Sequence, residues 1–378
     1  AVVYPTFSQR KKEEAIDTLA KLIRRHGVAH IAIGNGTASR ETEQMAVELI
    51  KRLGGGVSYM IVNEAGASVY SASKLAAEEF PDYDVNLRSA VSIARRLQDP
   101  LAELVKIDPK SIGVGQYQHD MPQARLDETL SGVVEDCVNA VGVDLNTASA
   151  PLLSYVAGLN NTTARNIVKY REENGAFTTR KGVLKVPKLG PKAFEQCAGF
   201  LRVPESRNVL DHTGVHPESY GAAEALLTLC GYGLSDVKAG GLDGLRERVA
   251  AYGEEKAAEV CGVGVPTLRD IVGELVKPGR DPRDELPRPI LRTDVLEMKD
   301  LKPGMELTGT VRNVIDFGVF VDIGVHQDGL VHISQLREGR RVQHPSEVCA
   351  VGDIVTVWVL EVDEKKKRIS LTMKKPKG

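Results

Sequence analysis

The hydrophobic period of this 378-residue chain changes twice, and those changes constrain its fold more than any other feature. Over residues 1–115, KKEEAIDTLAKLIRRHG is amphipathic, HIAIG reads as a buried strand, and TASRETEQMAVELIKRLG returns to a helical period. VSYMIVN is a second strand, and LRSAVSIARRL is a strongly periodic helix. Alternation of this kind builds a layered α/β domain. Residues 116–298 carry almost no strand signal and read as short helices punctuated by Gly and Pro, ending in a charged, Pro-rich connector, KPGRDPRDELPRP, at 277–289. Five β-branched runs follow: LTGTVRNVI, VFVDIG, GLVHIS, IVTVWVLEVD and ISLTM. Joined by Gly-containing turns, they predict a five-stranded barrel of the OB type. The expected architecture is multidomain α+β: a partial α/β domain at 1–115, a helical region at 116–203, an acidic helical domain at 204–285, and the barrel at 286–378.

Composition matters mainly through where charge falls. The net charge of −2 hides a segment, 148–203, with nine lysines and arginines against three acids, a net +6. Residues 204–298 carry eleven against seventeen, and the last eighty residues thirteen against eleven. Positive charge is thus concentrated in two stretches, as a polyanion-binding chain requires. The five cysteines show no C-x-x-C spacing, which suits a reducing cytosol and argues against zinc or a disulfide framework. No apolar run reaches the roughly 18 residues that span a bilayer. The first residues turn polar too soon for a signal peptide and open without Met on a strand-like run, as if inside a domain. A cytoplasmic location, no membrane partner, no metal and no cofactor are therefore expected.

The most informative stretch is GTVRNVIDFGVFVDIGVHQDGLVHISQL (309–336). Phe317 and Phe320 flank a strand junction and His332 lies in the next strand. On one barrel face such rings stack on unpaired bases, at roughly 1–3 kcal/mol each. Arg312, Asp363 and Arg368 are candidates for phosphate and base-edge contacts around them. Most strand aromatics are core residues, so the position of Phe317 and Phe320 decides between the two readings. The order GTV-x₅-FGVFVDIG, DGLVHISQL, VGDIV-x₃-VLEVD and RISLTMK resembles the S1 RNA-binding domain over about 300–374. That resemblance implies that Phe317, Phe320, His332, Asp363 and Arg368 face RNA.

Two hairpins stand out in the +6 segment, at 150–177 and 183–201, with turns containing Gly158 and Gly190. The N–H groups that open the second helix of such a hairpin are unpaired, and with the helix dipole they suit a phosphate. Arg165 and Lys169 in one hairpin, and Lys188 and Lys192 in the other, strengthen that site without reading bases. An ordinary helical hairpin with a Gly C-cap is the commoner structure. The tandem resembles helix-hairpin-helix DNA-binding domains, although each turn keeps one glycine where the family has two. A third turn, CGVGVPTLRDIVGEL (261–275), lies in the acidic stretch, where packing is the expected role.

In the α/β part, Gly34-Asn35-Gly36-Thr37 is a weak phosphate-loop signal without a Walker lysine. Glu64 ends a strand where a metal-dependent nuclease places a ligand. IGNGTASRETE and VNEAGASVYSAS resemble a YqgF/RuvC-type RNase H-like domain. That fold holds two divalent ions with acids on its first strand, a later strand and its final helix. Here the first of these strands is absent and Asn86 and Ser89 stand on the helix. One carboxylate does not hold two magnesium ions, so a non-catalytic scaffold is expected. His119 beside Asp120 has no Ser or Cys nucleophile and reads as a surface or capping histidine.

Taken in order, these segments with GVGQYQHDM, DHTGVHPESY and KPGRDPRDELP resemble the C-terminal half of the bacterial transcription accessory (Tex) family. The resemblance implies a non-catalytic protein that binds RNA or single-stranded DNA, with duplex DNA a further candidate. RNA polymerase or other transcription machinery are the candidate protein partners. Two alternatives are a structure-selective nuclease built on Glu64 and a protein-interaction scaffold built on the acidic helices of 204–298.

Overall fold

The computed structural model describes residues 1–276, 291–293, 298–325, 327–338, 342–364 and 366–375. The connector expected at 277–289 lies outside them. The chain packs as two compact units, residues 1–63 with 287–378 and residues 64–286. The first unit therefore unites the start of the α/β stretch with the barrel.

In the first unit, β1 (His30–Gly34) and β2 (Ser58–Val62) form a two-stranded parallel sheet. The helix Gln9–His26 begins where the Ser8 hydroxyl accepts the Lys11 N–H and ends at Gly27, with φ +62. Its Ala15, Ile16, Ala20 and Ile23 lie on one face, spaced for a helix, and pack with Met45, Leu49 and Ile50 of the helix Ser39–Leu53. The Tyr59 hydroxyl, fully buried, donates to Glu43 at 2.8 Å. Tyr59 also exchanges both main-chain hydrogen bonds with Arg292, at 2.7 and 2.8 Å.

The barrel is the expected five-stranded one. Its strands are β5 (Glu306–Ile315), β6 (Gly318–Asp322), β7 (Gly329–His332), β8 (Ile354–Asp363) and β9 (Arg368–Thr372). They close in the order β5-β6-β7-β9-β8, antiparallel except for β7–β9. Alternation sends Val319, Val321, Val331, Val357, Val359, Ile369 and Leu371 into the core. At Gly318 a Cβ would fall 2.4 Å from the Val331 carbonyl, so only glycine lets β6 and β7 approach there.

The second unit is helical, with the two-residue parallel strands β3 (Val143–Asp144) and β4 (Leu201–Arg202) as its only named strands among the described residues. One core, including Leu153, Ile167, Val183 and Leu201, holds the two hairpins together. A second, including Leu210, Leu226, Leu245 and Leu268, fills the acidic region. Around them, Arg180 is fully buried and donates to the carbonyls of Val215, Leu210 and Thr213 at 2.8, 3.2 and 2.5 Å. Asp211 accepts from the Tyr220 hydroxyl, the Ser206 hydroxyl and the Arg180 N–H. Glu274 accepts the Gly214 N–H at 2.6 Å. The DHTGVHPESY segment is thus a loop fastened around one arginine.

Candidate nucleic-acid interface

Strand register places most of the expected barrel residues on one outer face. Gly318 pairs with His332, and Phe320 lies between Asn313 of β5 and Leu330 of β7. Leu330 in turn pairs with Ser370 of β9, and Arg368 lies opposite Asp363. Because Val319, Val321 and Val331 point inward, Phe320, Leu330 and His332 point out. Phe317 precedes β6 and is 52% exposed as a residue, while its carbonyl accepts the Ile333 N–H at 2.9 Å. Phe320 is half-buried, whereas His332 and Arg368 are exposed. The Phe320 ring, the His332 imidazole and the Arg368 guanidinium thus share one sheet surface, with the exposed Phe317 in the turn just before β6.

The polar residues divide into outward-facing and already engaged. His332 Nδ1 accepts the Ser334 N–H at 3.3 Å, which leaves the ring proton on Nε2 as an outward donor. Asp363 closes the β8–β9 turn by accepting the Lys366 N–H at 3.0 Å. Lys367 in that turn adopts φ +51. Arg312, expected among the binding residues, is exposed but donates to Asp322 at 2.8 Å. Burial pushes the Asp322 carboxyl up, but the Gly324 N–H with Arg312 and Arg292 outweighs it and holds the carboxyl below the usual range. The charge of Arg312 is therefore already matched.

One residue that sequence reasoning missed is His344. Its Nε2 lies 3.2 Å from Asp316, the exposed residue next to Phe317. Its Nδ1 accepts the Ser346 N–H as His332 accepts that of Ser334. The repeated His-x-Ser at 332–334 and 344–346 was the available signal.

The hairpins differ from the expectation of two equivalent phosphate seats. In the first, between the helices Ala150–Ser154 and Asn161–Asn174, the Asn160 side chain accepts the N–H groups of Thr162 and Thr163 at 2.9 and 3.0 Å. The Thr163 hydroxyl accepts the Asn160 N–H at 2.8 Å. This capping box occupies the donors that a phosphate would need. Gly158, at φ +78, lies so close to the second hairpin that a Cβ would sit 2.5 Å from Gln196 Cβ. Its glycine serves packing. Arg165 and Lys169 are exposed nearby, and Lys169 pairs loosely with Glu173 at 3.7 Å.

In the second hairpin a 3₁₀ turn, Arg180–Lys185, replaces the first helix. Lys188 takes φ +68 where the family pattern has a glycine. Gly190 has open space where a Cβ would be and caps the helix Pro191–Cys197 without a side-chain hydrogen bond. Lys188 and Lys192 are both exposed at this turn. Only this hairpin retains the uncapped geometry that the sequence suggested for both.

Glu64 follows β2 in sequence. On the helix Val85–Gln98 the buried Arg96 donates to the Ala65 carbonyl at 2.8 Å, and Glu103 and Glu64 both act electrostatically on its guanidinium. Asn86 is exposed and Ser89 half-buried on that helix, and His119 is exposed. Among the described residues no three His, Cys, Asp or Glu side chains group as a metal site. No described helix is long and apolar enough to cross a membrane.

Family models match a Tex protein YqgF-like domain at residues 1–98, a helix-hairpin-helix motif at 138–202, an HHH domain at 208–283 and an S1 RNA-binding domain at 300–374. The chain is 57% identical over 374 residues to the uncharacterized protein YdcI of Bacillus subtilis, covering 99% of this chain and 52% of that protein. It is 57% identical over 367 residues to the transcriptional accessory protein Tex of Neisseria gonorrhoeae, 96% of this chain and 47% of that one. Against the protein YhgF of Escherichia coli it is 56% identical over 373 residues, 98% and 47% of the two. The chain spans about half the length of the curated relatives it matches. Along nearly its whole length, then, the chain is a homologue of the Tex and YhgF proteins, with YqgF-like, helix-hairpin-helix and S1 domains in that order.

Proposed function

We propose that this chain binds RNA or single-stranded nucleic acid without base specificity, acts in transcription and catalyses no reaction on the strand. The observation that carries the reading is the barrel face bearing Phe320, His332 and Arg368, with the exposed Phe317 in the turn that precedes it. Bases splayed from a single strand stack on the rings, His332 donates from Nε2, and Arg368 meets the backbone. Lys188 and Lys192 add contacts to phosphate, which position a strand without reading it. The Tex name of a close relative supports a place in the bacterial cytoplasm beside the transcription machinery, with RNA polymerase as the candidate partner.

Parallel titration of labelled RNA, single-stranded DNA and duplex DNA at several salt concentrations tests this reading. Single strands should bind more tightly than duplex, and equal or tighter duplex binding would overturn the stacking mechanism. For catalysis, the support is chemical: the one candidate acid, Glu64, shares its surroundings with the Arg96 cation. Incubation with Mg²⁺ or Mn²⁺ and single-stranded or branched substrates should leave them intact. Cleavage that disappears in Glu64→Gln would replace this reading with that of a nuclease.

A further inference from the structure

The helical unit contains a second feature that the barrel reading leaves unused, a cleft of about 1420 Å³. Two of its walls carry arginines without a close ion pair among the described residues, although Glu172 and Asp144 act on Arg171, and Glu274 on Arg202, from farther away. Arg171 donates to the Leu145 carbonyl at 3.0 Å, and Arg202 to the carbonyls of Gly199 and Leu201 at 2.6 and 3.2 Å. No carboxylate oxygen among the described residues lies within 4 Å of either guanidinium. The two belong to one surface, because Leu145 also donates its N–H to the Arg202 carbonyl at 2.9 Å. Arg202 lies flat over Gly142, where φ is +79 and a Cβ would come within 2.9 Å of the guanidinium, so a glycine is required to seat it.

Burial lowers the affinity of both guanidinium groups for their protons, and that of Arg202, with the added repulsion of Arg180, falls to about 10. Desolvated cations are ordinarily paired, and a planar guanidinium matches a phosphate with two parallel hydrogen bonds. Lys238 adds an exposed cation to the lining, and His212 contributes an imidazole. Glu172, next to Arg171 in the chain, also lines the cleft, while Asp144 accepts the Asn146 N–H at 2.8 Å.

Elsewhere in the same cleft the chemistry is of opposite kind. Glu103 is almost wholly buried, with Oε2 3.1 Å from Lys106 and Oε1 without a hydrogen-bond partner. A buried carboxylate oxygen left open is an acceptor for an N–H. From this combination we infer that the cleft binds a nucleotide, its phosphate on Arg171 and Arg202 and an amino or imino group of its base toward Glu103. This inference does not rest on the barrel reading, and the nucleotide is either free or part of a strand.

The test uses the full chain carrying Phe317→Ala and Phe320→Ala, so that barrel binding does not contribute. AMP, pyrophosphate and a ten-nucleotide oligonucleotide are titrated separately by calorimetry. Saturable AMP binding that exceeds pyrophosphate binding supports a free nucleotide, and saturation by the oligonucleotide alone supports a strand. In either case Arg202→Gln should weaken binding about tenfold, the worth of one charge-assisted hydrogen bond. If Arg202→Gln fails to fold, Arg171→Gln and the exposed Lys238→Ala provide the same reading. Absence of saturable binding by all three probes, or affinities unchanged in these variants, would overturn the inference.

Discussion

The barrel face and the tandem hairpins present a polyanion with different chemical groups. On the barrel, rings, an imidazole and a guanidinium carry the chemistry, and strand register aims Phe320, His332 and Arg368 outward. On the hairpins main-chain N–H groups were to carry it, and these are available only where no neighbouring side chain has taken them. Asn160 and Thr163 take them in the first hairpin, while the Gly190-Pro191 start leaves the second uncapped. Side-chain sites survive small changes of local sequence. Main-chain sites are gained or lost with a single capping residue.

The largest expected effect separates the two regions physically. Arg180→Met should destabilise the helical unit by about 3 kcal/mol, because the buried carbonyls of Val215 and Thr213 lose the guanidinium donor and that of Leu210 loses one of several. The single tryptophan, Trp358, lies on β8, so its fluorescence reports the barrel alone, whereas far-ultraviolet circular dichroism follows the helices. A urea midpoint that falls by dichroism but not by fluorescence is the expected result. A shift of both together would mean that the regions do not unfold independently. Next in size, Phe317→Ala with Phe320→Ala should weaken RNA binding by at least about 2 kcal/mol, the loss of two stacking surfaces. Unchanged affinity in a folded variant would remove the barrel face from the binding account.

Periodicity made the barrel legible, because a two-residue repeat fixes which side chains face the core, and FGVFVDIG needed only correct register to place Phe320 outward. The YqgF-like, hairpin and S1 segments were legible for the same reason, each being a local pattern. What sequence did not yield depends on partners distant in the chain. Arg312 looked like a free cation until the β5–β6 pair brought Asp322, ten residues away, within 2.8 Å of its guanidinium. Gly158 looked like a phosphate seat until Gln196 packed against it. Arg180 belonged to a basic stretch in the sequence, yet it is the buried centre of a loop thirty residues later. Charge in a sequence indicates neither exposure nor pairing.

The contrast between the hairpins gives two further expectations. Lys188→Ala with Lys192→Ala should reduce the salt dependence of binding by about two units of slope if both meet phosphates. The matching change in the first hairpin, Arg165→Ala with Lys169→Ala, should change the slope less. An equal change from both pairs would show that exposed cations suffice and that the uncapped turn contributes nothing. Asn160→Ala should cost about 1 kcal/mol of stability, as loss of an N-cap does, while leaving the affinity for RNA where it was. A gain in affinity would mean that freed N–H groups donate to phosphate, which makes the capping box the reason for the first hairpin's silence.

The smallest effect concerns how the barrel holds its own charges. Asp322 binds Arg312, the Gly324 N–H and, more distantly, Arg292, whose main chain pairs with Tyr59 of β2. Its proton affinity is lower in the folded barrel than in the unfolded chain. A depressed carboxyl contributes stability above the unfolded value near ~4, and that contribution is lost as pH falls through the folded value. Barrel stability followed by Trp358 fluorescence should therefore decline below pH ~4. Asp322→Asn should cost about 0.5 kcal/mol at neutral pH and flatten that decline, because no proton is then taken up at this position. The same variant frees Arg312 from its partner and sharpens the difference between engaged and available cations. If RNA then binds more tightly and with a steeper salt dependence, Arg312 lies within reach of the strand and Asp322 withholds it. If affinity is unchanged, Arg312 serves the barrel alone, and Arg368 is the cation that the face presents.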